Sequence, residues 1–138
     1  MLLRAIIPSF LLLMQSACGW VQLGGGTLNE MPPKGTLIYS GSFSSFSTTS
    51  AVSGGVSVYL MSSGSYIVRL ESYSGPTETG LQLRVIADSA TLTTLSLRSS
   101  SGSMNYSVSG TSNADFQQVY VYSPTNRVDY GKADLFKK

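Results

Sequence analysis

The residues that could do chemistry in this 138-residue chain are one cysteine, eight tyrosines, seven carboxylates and many serines, with no histidine at all. The missing histidine removes the commonest general base and metal ligand. The serines have no histidine partner, and no G-x-S-x-G elbow is present. A Ser–Lys dyad built on Lys34 or Lys132 finds no support in the spacing. The carboxylates are Glu30, Glu71, Glu78, Asp88, Asp115, Asp129 and Asp134. None belongs to a D-x-D-x-D-G calcium loop. Two of them brought together in space would make a glycosidase-like pair; charges solvated on strands and turns are the plainer reading. The expectation is a chain without catalytic residues, metal or cofactor.

Cys18 is the exception, because of its setting. It follows the apolar run Ala5–Met14 and the small residues Ser16 and Ala17, with Arg4 ahead of the run. Ten mostly apolar residues suit a signal-peptide core and fall short of the ~20 needed to span a bilayer. Gln15-Ser16-Ala17-Cys18 resembles a lipobox, in which the cysteine receives diacylglycerol and then a fatty acyl group such as palmitate. It departs from that pattern at Gln15, where an aliphatic residue is commoner. Plain secretion with an incidental cysteine and a retained anchor helix are the other readings. On the first, residues 1–17 are a signal peptide, residues 18–35 carry the lipid anchor and a flexible tether, and residues 36–138 form a β domain. Gly24-Gly25-Gly26 and Pro32-Pro33 argue against a helix or central strand in the tether. As a flexible coil, such a tether would span about 20–24 Å. Trp20 either rests among lipid headgroups or packs back on the domain. Gly19 is neither the aspartate that often marks inner-membrane retention nor part of an acidic run. The expected address is therefore the bacterial cell envelope, at the periplasmic face of the outer membrane.

Composition narrows the partners. Arg4 lies in the leader, so eight of nine basic residues remain against seven acidic ones, a net charge of +1. Such a balance predicts no strong pull toward nucleic acid or anionic membrane. A single cysteine excludes an intrachain disulfide. With 42% hydrophobic and 12% charged residues, the chain reads as one folded domain with a neutral, hydroxyl-rich surface.

The elements that must position any site are strands. Val56, Val58 and Leu60 alternate with Ser57, Tyr59 and Met61. After the turn Ser62–Ser65, Tyr66, Val68 and Leu70 alternate with Ile67, Arg69 and Glu71, so the two runs read as a hairpin. Leu81, Leu83 and Val85 form another alternating run. Leu95 and Leu97 share a face that Leu92 does not, which predicts a bulge or a strand start between them. Met104, Tyr106 and Val108 alternate, as do Val119 and Val121 with Tyr120 and Tyr122. Val128 and Tyr130 lead through Gly131 to Ala133 and Leu135. With Thr36–Ser40 and the Phe43 region, this predicts an all-β fold. An antiparallel β-sandwich or partly closed barrel of about eight to nine strands is expected.

The order of these motifs resembles the DM13 domain, found in extracellular animal proteins and in bacterial secreted proteins and lipoproteins. Gly41-Ser42-Phe43 is similar to its opening G-x-F, Ser53-Gly54-Gly55-Val56 to the S-G-x-V before its second strand, and Gly64–Leu70 with Tyr73 to its central R-L strand and the aromatic after it. Gly80–Val85, Leu97-Arg98, Gly102–Tyr106, Val119–Ser123, Val128 and Tyr130–Leu135 follow in its order, so the likeness runs from about residue 36 to 135. Arg84 stands at the family's histidine, and Ser123 at its cysteine. The resemblance implies the β fold. It also implies, as an alternative function, a redox or electron-transfer role, but that role leans on the cysteine, and a hydroxyl cannot cycle as a thiol does.

The tyrosines suggest binding. Tyr120 and Tyr122 project from one face of one strand, and Tyr59 from another strand. If these faces look outward they form a tyrosine surface for a glycan, peptidoglycan or a protein; if not, they are half-buried sandwich residues. The expected function is a lipid-anchored, non-enzymatic binding or assembly module, an accessory subunit of a membrane complex among the options. It would be tied to the membrane through Cys18 and would not bind nucleic acid.

Overall fold

The computed structural model describes residues 27–109 and 113–138. Cys18, the leader before it and the tether as far as residue 26 lie outside these. Among the described residues there are ten strands and no helix. They are β1 (Leu28–Asn29), β2 (Thr36–Ser45), β3 (Ser53–Leu60), β4 (Tyr66–Ser74), β5 (Gln82–Ala87), β6 (Ala90–Ser96), β7 (Ser101–Val108), β8 (Phe116–Ser123), β9 (Val128–Asp134) and β10 (Phe136–Lys137). The all-β expectation holds, and the sheet curls into a half-barrel.

Strand order is β1-β7-β4-β3-β2-β9-β8-β5-β6, with β10 beside β2. The first half-sheet runs from β1 to β2 and the second from β2 to β6. β2 belongs to both. Its Thr36–Ser42 stretch pairs β3, while Phe43–Ser45 pair β9. The period-2 alternation then turns one apolar face of each half inward. Val56, Val58, Val68, Leu70, Met104, Leu83, Val85, Val119, Val121 and Ala133 are all fully buried there. Each large aliphatic among them contributes about 1.5–3 kcal/mol of transfer free energy. Phe116 joins Tyr39 and Tyr66 in an aromatic cluster at one end, with ring centroids 5.7 and 4.9 Å away.

The predicted hairpin is present: Val56 pairs Leu70, Val58 pairs Val68 and Leu60 pairs Tyr66. The parity break at Leu92 is a bulge in β6, since Val85 faces Thr93 while Ile86 faces Thr91.

One expectation needs correction. Residues 27–35, read as part of a flexible tether, are docked on the domain. β1 pairs parallel with β7, Leu28 opposite Gly102 and Asn29 opposite Ser103. It is the single parallel pair among the described residues, so the sheet is mixed rather than purely antiparallel. The reason is topological. To travel from β1 to β2 the chain must cross the outer side of β7, β4 and β3, about 19 Å at normal strand spacing. Pro32 and Pro33 favour an extended path, and the strap comes down at Gly35, against Leu60 and Met61.

Glu30 fastens this strap. Arg98 donates to both carboxylate oxygens, at 2.7 and 2.8 Å, and the Asn105 amide donates at 2.7 Å. Arg69 sits on the outer side of β4, yet is only 4% exposed because the strap covers it. It donates to the Glu30 carbonyl at 2.9 Å, the Asn105 side chain at 3.0 Å and the Glu71 carboxylate at 2.7 Å. Gly102 permits the close approach of β1. Its φ is +114°, and a Cβ there would lie 1.9 Å from the Leu28 carbonyl oxygen. Gly102→Ala is expected to undock the strap, measured as faster limited proteolysis between residues 27 and 35 and a stability loss of about 1–3 kcal/mol.

The clasp also sets an acid dependence. The Arg98 hydrogen bonds, then that of Asn105, lower the Glu30 pKa from 4.5 to about 2. A carboxyl lowered in the folded state adds stability that is complete above its unfolded pKa and is lost as pH falls through the folded one. Denaturant titrations should therefore show wild-type stability falling between about pH 4.5 and 2, with Glu30→Gln less stable at neutral pH and flatter across that window. At neutral pH the loss should be about 1–2 kcal/mol, discounted because the Glu30 side chain is 34% exposed.

Candidate functional site

Alternation along β8 puts Val119 and Val121 in the core, so Tyr120 and Tyr122 face outward. On β5, Arg84 lies directly opposite Tyr120, and on β9, Asp129 lies opposite Tyr122. Cross-strand and diagonal neighbours on one face touch when side chains are long. Here the guanidinium carbon of Arg84 is 5.4 Å from the Tyr120 ring centre and 4.6 Å from that of Tyr122. Arg84 Nη2 also donates to Asp129 at 2.7 Å. Partly exposed cation–π contacts of this kind are worth about 0.5–1 kcal/mol each. Arg84, which the sequence offered only as a departure from a family histidine, is the centre of the face.

Phe46 extends it. This residue follows the last residue of β2, beside the other half of the sheet; its amide donates to the Tyr130 carbonyl at 2.9 Å. Its ring is 53% exposed and lies 6.5 Å from Tyr120, tilted by 53°. The Ser45 hydroxyl ties down the loop beyond it, donating to the Val52 carbonyl at 3.0 Å and accepting from the Val52 amide at 2.8 Å. That loop frames a shallow cavity of about 340 Å³ lined by Ser45, Phe46, Ser47, Thr48 and Ala51. The charges of the face pair internally: Arg84 with Asp129 at 2.7 Å, Lys132 with Asp134 at 3.3 Å. Gln118 donates to Asp134 and accepts from the Tyr120 hydroxyl, and Gln82 stands opposite Tyr122.

Tyr59 is not part of this group. It lies on the outer side of the first half-sheet, in a row with Leu37 and Ile67. The three tyrosines singled out in the sequence therefore divide into a pair and an isolated member. Phe46 was missed because it follows a run of serines and has no alternating neighbours. Only the handover of β2 between half-sheets brings it to Tyr120. Cys18 lies outside the described residues.

Ser123, where the DM13 resemblance would put a cysteine, is completely buried. Its hydroxyl donates to Glu78 at 2.5 Å and accepts from the Asn126 amide at 3.1 Å. The Tyr130 hydroxyl donates to the other Glu78 oxygen, and Asn126 Nδ2 donates to both Glu78 and Tyr130. These bonds, Ser123 first and Tyr130 next, hold the Glu78 carboxyl below its ordinary pKa. Tyr130 reaches Glu78 from a bulge, since Val121 faces Gly131 while Tyr122 faces Asp129. The cluster joins the connection between β4 and β5 to the β8–β9 turn. Beside Glu78 lies a cleft of about 350 Å³, which Arg98 also lines. Ser123 itself offers no attacking oxygen to a substrate, being both buried and already hydrogen bonded.

No group of three or more His, Cys, Asp or Glu side chains that could hold a metal ion is gathered among the described residues. No family model, curated protein or solved structure matches the chain.

Removing the Ser123 hydroxyl leaves Asn126 N–H without its acceptor and Glu78 without a donor. Ser123→Ala is expected to lower the thermal unfolding midpoint by about 5 °C, and Tyr130→Phe to do so by less, both read by calorimetry.

Proposed function

We propose that the chain is a lipid-anchored binding or assembly module of the bacterial cell envelope, without catalytic activity. The outer face of its second half-sheet is the part it presents to a partner. The observation that carries this reading is the cluster of Phe46, Tyr120, Arg84 and Tyr122 on the solvent side of β2, β8 and β5. Aromatic rings and arginine are the side chains that dominate binding hot spots. A face that served only to close the sheet would need neither an exposed Phe46 nor an arginine set against two tyrosines. The apolar run and small residues before Cys18 support the anchor, and the order of strands and glycine turns supports a DM13-like domain. The DM13-type electron-transfer role is not adopted, because the position of its thiol holds a hydroxyl committed to Glu78. Exposure on the outer-membrane side of the periplasm, and service as an accessory subunit of a membrane complex, fit the same anchor.

Two measurements on cells making the full chain test this. A clickable palmitate should label the protein and fail to label Cys18→Ser. A photo-crosslinking aromatic amino acid placed at Tyr120 or Tyr122 should capture one recurrent partner, while the same probe at Tyr59 captures none. Absence of lipid label removes the anchor, and equal capture at all three positions removes the binding face.

A further inference from the structure

We propose that the face centred on Phe46 and Tyr120 is a saccharide site, taking an uncharged, polyhydroxylated sugar; this rests on the binding-face reading above. Three observations converge on that class of ligand. First, Phe46 and Tyr120 are neighbouring rings, 6.5 Å between centres and inclined at 53°, and Phe46 is exposed. The C–H face of a pyranose is apolar and packs on such rings, while its rim of hydroxyls needs donors and acceptors alongside. Second, those partners are present and mostly neutral. Gln82 and Gln118 flank the tyrosines on β5 and β8. Ser47 and Thr48 are among the residues lining the cavity of about 340 Å³ next to Phe46, at the small end of ligand sites.

Third, the charges cancel. Arg84 is spoken for by Asp129 and Lys132 by Asp134, so the face exerts no net pull on phosphate, nucleic acid or an anionic headgroup. Paired charges of this kind still donate to and accept from neutral hydroxyls. A protein partner fits less well. Protein interfaces centre on a desolvated apolar core. Here the exposed Phe46 is set among serine, threonine and glutamine, and the apolar row of Leu37, Tyr59 and Ile67 lies on the other half-sheet.

The test uses the full chain in detergent, titrated with chitotetraose, cellotetraose and mannotetraose and followed by intrinsic fluorescence and calorimetry. At least one should bind saturably, with little change between low salt and 0.5 M salt. Phe46→Ala and Tyr120→Ala should each weaken binding by about tenfold or more, while Tyr59→Ala should not. Phe46 is exposed, so its truncation leaves the core intact, and an unchanged unfolding midpoint verifies this. No saturable binding by any of the three sugars overturns the proposal, as does binding indifferent to Phe46→Ala. If no sugar binds but a protein is crosslinked at Tyr120 in cells, the saccharide assignment falls and the binding module stands. If neither occurs, both fall.

Discussion

The structure depends on one strand being hydrogen bonded into two half-sheets. A single sheet of nine strands in a row has one apolar face and nothing to cover it. It buries that face only by curling onto itself, and the curl is made at β2. The strand leaves β3 and joins β9 between Ser42 and Phe43. Close to the handover sits Gly41, where a Cβ would stand 2.0 Å from the Asp134 carbonyl oxygen. A larger residue would push β9 and β10 off β2 and open the core along its middle. The inward valines and leucine of β5 and β8 share one core with those of β3, β4 and β7 because this seam is closed. The outer faces follow from the same bend: β2 carries Phe46 across to Tyr120.

Curling leaves two sheet edges, and they are handled differently. At β7 the strap supplies two residues of parallel strand and then a side chain, Glu30, that accepts the Asn105 amide as a strand carbonyl would. An edge amide is thereby satisfied by a carboxylate that Arg98 holds in place. At β6 the bulge at Leu92 interrupts the regular ladder that an incoming strand would copy. The strap also explains why Arg69, facing outward on β4, is among the few buried polar residues. Without the Glu30 carbonyl, the Glu71 carboxylate and Asn105 around it, a buried guanidinium would be costly.

What the sequence made legible was whatever repeats at a period of two. The hairpin of β3 and β4, the inward valines of β8 and the parity break at Leu92 all follow from alternation over a few neighbouring residues. The strap was illegible for the opposite reason. Glu30, Met31 and the prolines have no periodicity, and their partners Arg69, Arg98 and Asn105 are 39 to 75 residues away. Glycines and prolines announce an irregular path, and nothing local separates an irregular path in solvent from one laid across a sheet. Tyr59 shows the same limit. Its outward direction is readable from its neighbours, but the half-sheet it belongs to depends on strand order, which alternation does not encode.

The position that most weakened the redox reading also supports the proposed binding face. Ser123 holds Glu78, and Glu78 accepts from the Tyr130 hydroxyl, which fixes the bulge in β9. The carbonyl of that same bulged tyrosine accepts the Phe46 amide, and its neighbour Asp129 accepts from Arg84. Both outer elements of the face, the exposed ring and the guanidinium, are thus placed by one end of the β8–β9 hairpin. A bulge turns a side chain in a direction that a regular strand would forbid. Here it lets a single residue face the Glu78 cluster through its side chain and Phe46 through its backbone. A thiol at position 123 would be a longer, weaker partner for Glu78. Serine suits a site whose task is to hold geometry.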